Sequence, residues 1–144
     1  MLFGKRKRVV NRILIVEDEP LLAFDNEVML GDLGYEVVAT LDSFEAAIEI
    51  LDREKIDLIL SDYRLSGERT GLDLARAAKN RGLPIIFLTG HALPAESVQL
   101  ALGCITKPYN ERTLKLALNA VDKRLSGKIA KPPKGVELFV PDEG

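Results

Sequence analysis

The 144-residue sequence is poor in the residues that build covalent or metal-bound scaffolds: it has one cysteine, Cys104, and one histidine, His91. A single cysteine excludes an internal disulfide, and one cysteine with one histidine cannot complete a structural zinc site. No apolar run approaches the ~18 residues that a membrane span needs, and residues 1–8 lack the apolar core of a secretory signal. The sequence therefore predicts a cytoplasmic protein without a membrane span.

The composition is that of a globular domain, with 47% hydrophobic and 29% charged residues. This excludes wholesale disorder and collagen-like repeats. The length predicts one domain with tails. We expect a basic N-terminal leader over residues 1–10, a folded domain over 11–125 and a flexible C-terminal tail over 126–144. Within that tail, residues 136–140 are apolar, and the sequence leaves open whether they dock on the body or on a partner.

The net charge of −2 hides an asymmetry along the chain. Residues 1–12 hold five basic residues and no acid, whereas residues 13–125 hold 12 basic and 19 acidic residues. A basic tip on an acidic body can contact nucleic acid, lipid or an acidic partner. The alternative interpretation is a solvated leader that keeps the edge of the first strand soluble. No nucleic-acid-binding motif accompanies the leader.

Short β-favouring runs alternate with segments of helical periodicity. The runs lie at residues 13–16, 37–39, 58–60, 85–88 and 104–106, and the periodic segments predict helices at 21–33, 44–51, 72–81, 94–102 and 114–125. Five strands, each followed by a helix, predict a parallel sheet covered on both faces. Right-handed crossovers favour a doubly wound α/β sandwich.

The residues that directly follow the predicted strands form a chemically matched set. Glu17 and Asp18 follow the first strand, Asp62 the third, Thr89 the fourth and Lys107 the fifth. Such strand ends share one edge of a parallel sheet, where ligands bind. Three carboxylates repel one another unless a cation lies among them, and hard oxygen ligands suit Mg²⁺. Asp62 is placed to act as a covalent nucleophile towards phosphorus, with Lys107 and Thr89 as partners for phosphoryl oxygens.

At these positions the chain resembles the CheY-like receiver domain of two-component response regulators. The motifs are ILIVEDEP at 13–20, LILSDYRL at 58–65, TG at 89–90 and TKP at 106–108, in the family's order, and the resemblance covers about residues 10–125. It implies a flavodoxin-like doubly wound, five-stranded parallel sheet of order 2-1-3-4-5 with five helices. It also implies a phosphoprotein that catalyses only its own phosphoryl transfer and slow dephosphorylation.

The resemblance further implies a role for each site residue. Asp62 would be the phospho-acceptor, Thr89 the switch hydroxyl and Lys107 the partner of a phosphoryl oxygen, with a cis Lys107–Pro108 bond. The cofactor would be Mg²⁺, held by Glu17, Asp18, Asp62 and the main-chain carbonyl of Arg64. The phosphodonor would be a sensor histidine kinase or a histidine phosphotransfer protein.

The sequence departs from the family pattern at the switch. Cys104 stands where a large aromatic usually swings inward behind Thr89, so we count Cys104 as a switch position of unusual type. The segment from Phe87 to Gly90, together with Cys104, resembles the alphaproteobacterial FAT-GUY subgroup of stand-alone receivers in general stress signalling, although Leu88 replaces its alanine. We expect phosphorylation to shift the loop 90–94 and the fourth helix, so that partners bind the face of helix 4, strand 5 and helix 5.

The residues outside the motifs indicate how the protein passes on its signal and which other functions have to be weighed. The 19 residues after position 125 are too few for a DNA-binding domain, so we predict output by protein contact from a monomer or weak dimer. The alternatives are a phosphorylation-independent interaction module and a phosphate sink. An aspartyl-nucleophile phosphatase would need an acid two residues after Asp62, where Arg64 stands. His91 is interpreted as a loop residue and Tyr109 as packing.

Overall fold

The computed structural model describes residues 8–140, in which the apolar runs form strands and the periodic segments form helices. The strands are β1 (Arg12–Val16), β2 (Glu36–Leu41), β3 (Leu58–Asp62), β4 (Ile85–Thr89), β5 (Gly103–Thr106) and β6 (Val136–Leu138). The helices are α1 (Pro20–Asp32), α2 (Phe44–Leu51), α3 (Gly71–Asn80), α4 (Ser97–Leu100) and α5 (Glu111–Leu125). The predicted alternation of five strands and five helices over residues 12–125 is confirmed.

The strands form one sheet in the order β2-β1-β3-β4-β5-β6, and the first five are parallel. Successive side chains of an inner strand point to opposite faces. One apolar layer therefore contains Ile13, Ile15, Leu58, Leu60, Ile86 and Leu88, together with side chains of α1 and α5. The other contains Leu14, Val16, Ile59, Ile85 and Phe87, with side chains of α2 and α3. The flavodoxin-like order 2-1-3-4-5 is confirmed.

The prediction of a five-stranded sheet is corrected to six strands, because Val136–Leu138 pairs antiparallel with β5. The pairing extends at both ends: the N–H of Thr106 donates to the carbonyl of Gly135, and the N–H of Phe139 donates to that of Leu102, each at 2.8 Å. Phe139 is buried, and Gly103 gives the backbone of β6 space that a Cβ would fill. The apolar part of the predicted tail thus docks on the body.

Side-chain caps mark the starts of α2 and α5, whereas α4 has none. The side chains of Ser43 and Asn110 accept main-chain N–H bonds at the starts of α2 and α5. The fourth helix, predicted over 94–102, is confined to Ser97–Leu100. The N–H of Ser97 donates to the carbonyl of Pro94, three residues earlier in the chain. The segment that leads into α4 is therefore a tight turn rather than part of an α-helix.

The described part of the predicted leader is packed against the body. The N–H groups of Val9 and Val10 donate to Asp122 Oδ1 at 2.8 and 3.0 Å. The guanidinium of Arg8 lies 4.2 Å from the centre of the Tyr35 ring. The other residues of the leader, 1–7, lie outside the described part of the chain. Within residues 8–140, no helix is long and apolar enough to cross a membrane.

Candidate functional site

The five residues predicted from the strand ends lie at one edge of the sheet. Asp62 and Thr89 are the last residues of β3 and β4, whereas Glu17, Asp18 and Lys107 come after β1 and β5. Strands β1, β3, β4 and β5 are consecutive neighbours in the sheet, so their ends form a continuous row. The site therefore arises from the parallel topology itself, because each strand delivers its functional residue where the next loop begins.

Three carboxylates form the acidic part of this site. One oxygen from each of Glu17, Asp18 and Asp62 lies within 4.8 Å of the others. Asp18 is exposed and Asp62 is half-buried, but Glu17 is only 3% exposed. Burial raises the pKa of Glu17, and the hydrogen bonds from Lys107 and from the N–H of Glu19 partly oppose that rise. The cluster therefore combines one buried carboxylate with two carboxylates that solvent reaches.

Lys107 joins two of these carboxylates. Its Nζ donates to Glu17 Oε1 at 3.0 Å and to Asp62 Oδ2 at 3.2 Å. Burial by itself lowers the pKa of Lys107, but the hydrogen bond and the charges of the two acids outweigh burial and raise it. The side chain is therefore held as an ammonium beside Asp62. The Lys107–Pro108 peptide bond is cis, as predicted.

Thr89 is buried, and its hydroxyl is engaged with the following loop rather than with the acids. Its Oγ1 donates to the carbonyl of His91 at 3.0 Å and accepts the N–H of His91 at 3.1 Å. The His91 side chain is exposed. A cavity of about 270 Å³ lies between this loop and the acids, lined by residues that include Asp62, Arg64, Thr89 and Lys107. A phosphoryl group on Asp62 would occupy this space.

The donor set fits Mg²⁺. Three carboxylate oxygens that converge within 4.8 Å are hard ligands, and the exposure of Asp18 leaves room for the water molecules that Mg²⁺ retains. The N–H of Arg64 lies 3.4 Å from Asp62 Oδ1, which places this stretch of main chain beside the cluster. The role of the Arg64 carbonyl as a ligand stays a prediction.

Two residues near the acids were not recognised as a polar pair from the sequence. The hydroxyl of Tyr109 donates to Asn26 Oδ1 at 2.6 Å, and burial raises the pKa of Tyr109 strongly. Both residues line a cavity of about 350 Å³ beside Glu17 and Lys107. The signal in the sequence is Asn26 on the buried side of α1, between Ala23 and Leu30. Tyr109 does more than pack, since its hydrogen bond fixes the loop that carries Lys107.

A gap lies behind Thr89, next to the small side chain of Cys104. A cavity of about 540 Å³ extends from Thr89 and the loop 90–95 to Cys104 on β5 and Phe139 after β6. Cys104 is half-buried, and burial raises the pKa of its thiol, with a further contribution from the charge of Glu137. The aromatic side chain that borders this gap is that of Phe139, in the predicted tail. β5 itself carries no aromatic residue.

Comparisons with known proteins agree with this geometry. Residues 13–119 match the family described as the response regulator receiver domain. The chain is 35% identical over 122 residues to the two-component response regulator PhoP of Pseudomonas aeruginosa, covering 81% of this chain and 53% of PhoP. It is 35% identical over 85 residues to the phyllosphere-induced regulator PhyR of Methylorubrum extorquens, covering 58% of this chain and 32% of PhyR. The chain thus spans about half of PhoP and about a third of PhyR.

A solved structure resembles the fold over most of its length. The receiver domain of the sensor histidine kinase PA1611 from Pseudomonas aeruginosa PAO1 superposes with a TM-score of 0.69 at 30% identity. The match covers 83% of this chain and 99% of that one. That structure holds a magnesium ion coordinated in its active-site cleft.

Proposed function

We propose, because this chain belongs to the response regulator receiver domain family, that Asp62 accepts a phosphoryl group from a phosphohistidine of a sensor kinase or phosphotransfer protein. The observation that carries the proposal is the position of Asp62, whose carboxylate lies with Glu17 and Asp18 on one side and the Lys107 ammonium on the other. A structural scaffold has no need to concentrate these charges at one edge of a sheet.

The transfer step uses the carboxylate of Asp62 as nucleophile. One of its oxygens attacks the phosphorus, the bond from phosphorus to the imidazole nitrogen breaks, and that nitrogen keeps the electron pair and takes a proton from water. Lys107, 3.2 Å from Asp62, neutralises part of the charge on the phosphoryl oxygens. The attacking carboxylate oxygen loses no proton when it forms the bond to phosphorus, so the step needs no general base.

Mg²⁺ is the cofactor that we propose for this step, held by Glu17, Asp18, Asp62 and the main-chain carbonyl of Arg64. When bound, the ion supplies positive charge that screens the three acids from the phosphoryl oxygens. Glu17 is positioned for this role by the hydrogen bond from its N–H to the carbonyl of Leu41, at 2.8 Å, and by its carboxylate contact with Lys107.

The phosphodonor has an apolar surface available next to the site. Leu21, Phe24 and Val28 of α1 are 74%, 63% and 45% exposed, and their spacing places them on one side of the helix. Exposed apolar side chains at helical spacing suit contact with another helix. We propose that this ridge holds the helix that carries the phosphohistidine, with the imidazole directed at Asp62.

The response to phosphorylation starts at Thr89. A phosphoryl group adds close to two negative charges and three acceptor oxygens. We propose that the Thr89 hydroxyl leaves its bond with His91 to donate to one of these oxygens, which releases the loop 90–94. The gap beside Cys104 gives the loop space to move, and Phe139 lies at its far side. Output then reaches the face of α4, β5 and α5, of which β6 forms a part.

We propose that the protein acts as a stand-alone, cytoplasmic receiver, as a monomer or weak dimer, and that its output is contact with another protein. Its assignment to general stress signalling rests on the resemblance of residues 87–90 and Cys104 to the FAT-GUY subgroup. The similarity to PhyR supports that assignment over 58% of the chain.

Phosphotransfer from purified kinases tests the proposal. We expect a cognate kinase, phosphorylated on histidine, to pass its phosphoryl group to the wild-type chain within seconds to minutes, and not to the Asp62→Ala variant. Glu49→Ala, an exposed acid on α2, is the matched control. Transfer to Asp62→Ala at the wild-type rate would overturn the assignment. Rapid transfer followed by return to a second phosphotransfer protein would favour the phosphate sink.

A further inference from the structure

The end of the sheet opposite Asp62 carries a surface that the phosphorylation site does not use. The N–H groups of Val9 and Val10 donate to Asp122, which ties the start of the described chain to the last turn of α5. Lys123 lies in that turn, and the N–H of Lys128 donates to its carbonyl at 2.9 Å. We call this surface the basic end and define it by Val9, Lys123, Leu125, Lys128, Ile129 and Lys131.

Charge separates the basic end from the rest of the molecule. Residues 13–110 hold 8 basic and 17 acidic residues, a net charge of −9, whereas residues 122–131 hold 4 basic residues and 1 acidic residue, a net charge of +3. Within residues 8–140, no carboxylate lies within 4 Å of the ammonium groups of Lys123, Lys128 or Lys131. In the sequence, Lys5, Arg6 and Lys7 directly precede Arg8 and Val9.

The basic end also exposes apolar side chains between its cations. Ile129 is 96% exposed, Val9 46% and Leu125 39%. The leader repeats this pattern, since Met-Leu-Phe-Gly precedes Lys-Arg-Lys-Arg. Surfaces for single-stranded nucleic acid combine cations with stacking aromatics, and the residues that define the basic end include no aromatic. Cations interleaved with exposed aliphatic groups instead match a lipid interface, where headgroup phosphates and acyl chains meet.

We propose that the basic end binds the surface of an anionic membrane. The lysines lie at the headgroup phosphates, and Ile129 enters the boundary of the acyl chains. The carboxylates of Glu17, Asp18 and Asp62, clustered at the other end of the sheet, are repelled by the same surface, so the molecule is oriented with Asp62 facing away from the lipid. A phosphodonor can therefore reach Asp62 while the protein is bound.

Vesicle sedimentation with the full chain tests this surface. We expect binding to vesicles that mix phosphatidylglycerol with phosphatidylcholine, weak binding to pure phosphatidylcholine, and a loss of binding as salt is raised. The pair Lys123→Gln and Lys128→Gln should weaken partitioning roughly tenfold or more. The pair Arg112→Gln and Lys115→Gln removes the same charge from the opposite end of α5 and is the matched control.

Ile129→Ser tests the apolar contribution without a change of charge, and we expect it to weaken partitioning about threefold or more. Thermal unfolding and phosphorylation of Asp62 should be unchanged in all of these variants, which separates this proposal from the proposed function. Equal binding to anionic and neutral vesicles would overturn the proposal. So would equal losses in the two pair variants, no loss in Ile129→Ser, or tighter binding to duplex DNA than to vesicles at the same salt.

Discussion

The ammonium of Lys107 lies 3.2 Å from a carboxylate oxygen of Asp62, although β4 separates the strands that carry these two residues. Lys107 reaches past the end of β4 because it leaves β5 one residue after the sheet pairing of Thr89 with Thr106. The same ammonium contacts the buried Glu17, so it links the carboxylates of Glu17 and Asp62. Because the Lys107 ammonium contacts Asp62, we expect the loss of its charge to affect the reaction of Asp62.

Lys107→Ala should slow phosphorylation of Asp62 by a small phosphodonor roughly 100-fold, because a fixed positive charge is lost from the developing phosphoryl oxygens. The rate is measured from the intact mass of the protein over time. Lys55→Ala, an exposed lysine in the loop before β3, is the control and should react at the wild-type rate. An equal rate in Lys107→Ala would show that the ammonium serves only to stabilise the acids.

Asp18→Asn should weaken Mg²⁺ binding by about tenfold or more, because one ligand charge is lost from a small site with strict geometry. Metal titration followed by amide chemical shifts reports the affinity. Glu27→Gln, an exposed acid on α1, is the control for net charge. Removal of the metal with a chelator should stop phosphorylation of the wild type. Unchanged affinity in Asp18→Asn would mean that the acidic cluster is only a surface feature.

The sequence predicted the site more completely than it predicted the edges of the fold. Asp62, Thr89 and Lys107 could be placed because parallel strands carry their last residues to one edge, whatever the exact helix bounds. β6 could not be predicted, because a strand of three residues beyond α5 has no periodicity of its own and depends on the backbone space at Gly103. The prediction that α4 begins at residue 94 was wrong, because Pro94 favours a turn as readily as a helix.

Long-range polar contacts also could not be predicted from the sequence. Asp122 falls on the buried side of α5, and nothing local shows that it accepts the N–H groups of Val9 and Val10, more than 110 residues away. Asn26 and Tyr109 meet only because α1 and the loop after β5 lie together. Such pairs depend on tertiary packing, whereas a capping residue such as Ser43 bonds a neighbour only three residues away in sequence.

Thr89→Ala should leave Asp62 able to accept a phosphoryl group but should remove most of the structural response. The hydroxyl that bonds the main chain of His91 is the donor expected to move. Amide shift changes between the free and phosphorylated wild type should concentrate at residues 88–108 and 135–139. Thr89→Ser keeps the donor and should respond like the wild type. A full response in Thr89→Ala, or shifts confined to α1 and α2, would contradict the switch.

Phe139→Ala should lower the free energy of unfolding by about 3 kcal/mol, because a buried aromatic is replaced by a cavity. Val140→Ala, at a neighbouring exposed position, should change it by less than about 0.5 kcal/mol. Chemical denaturation measures both values. Alkylation of Cys104 gives a second measurement, since burial raises the pKa of this thiol and slows the reaction at neutral pH.

In Phe139→Ala we expect Cys104 to be alkylated faster than in the wild type, because loss of the ring exposes the gap between β5 and the loop 90–95. The rate in Val140→Ala should stay at the wild-type value. Equal stability and equal alkylation in the two variants would mean that residues 136–139 are not docked on β5 in solution.

The central claim is that Asp62 carries the phosphoryl group. The most direct test is to incubate the full chain with a small phosphodonor and Mg²⁺, reduce the product with borohydride and sequence the peptides by mass spectrometry. Reduction converts an aspartyl phosphate to homoserine and so marks the acceptor permanently. We predict homoserine at position 62 alone, and none when the metal is chelated. Homoserine at another acid with Asp62 unchanged, or phosphate on His91, would contradict the account.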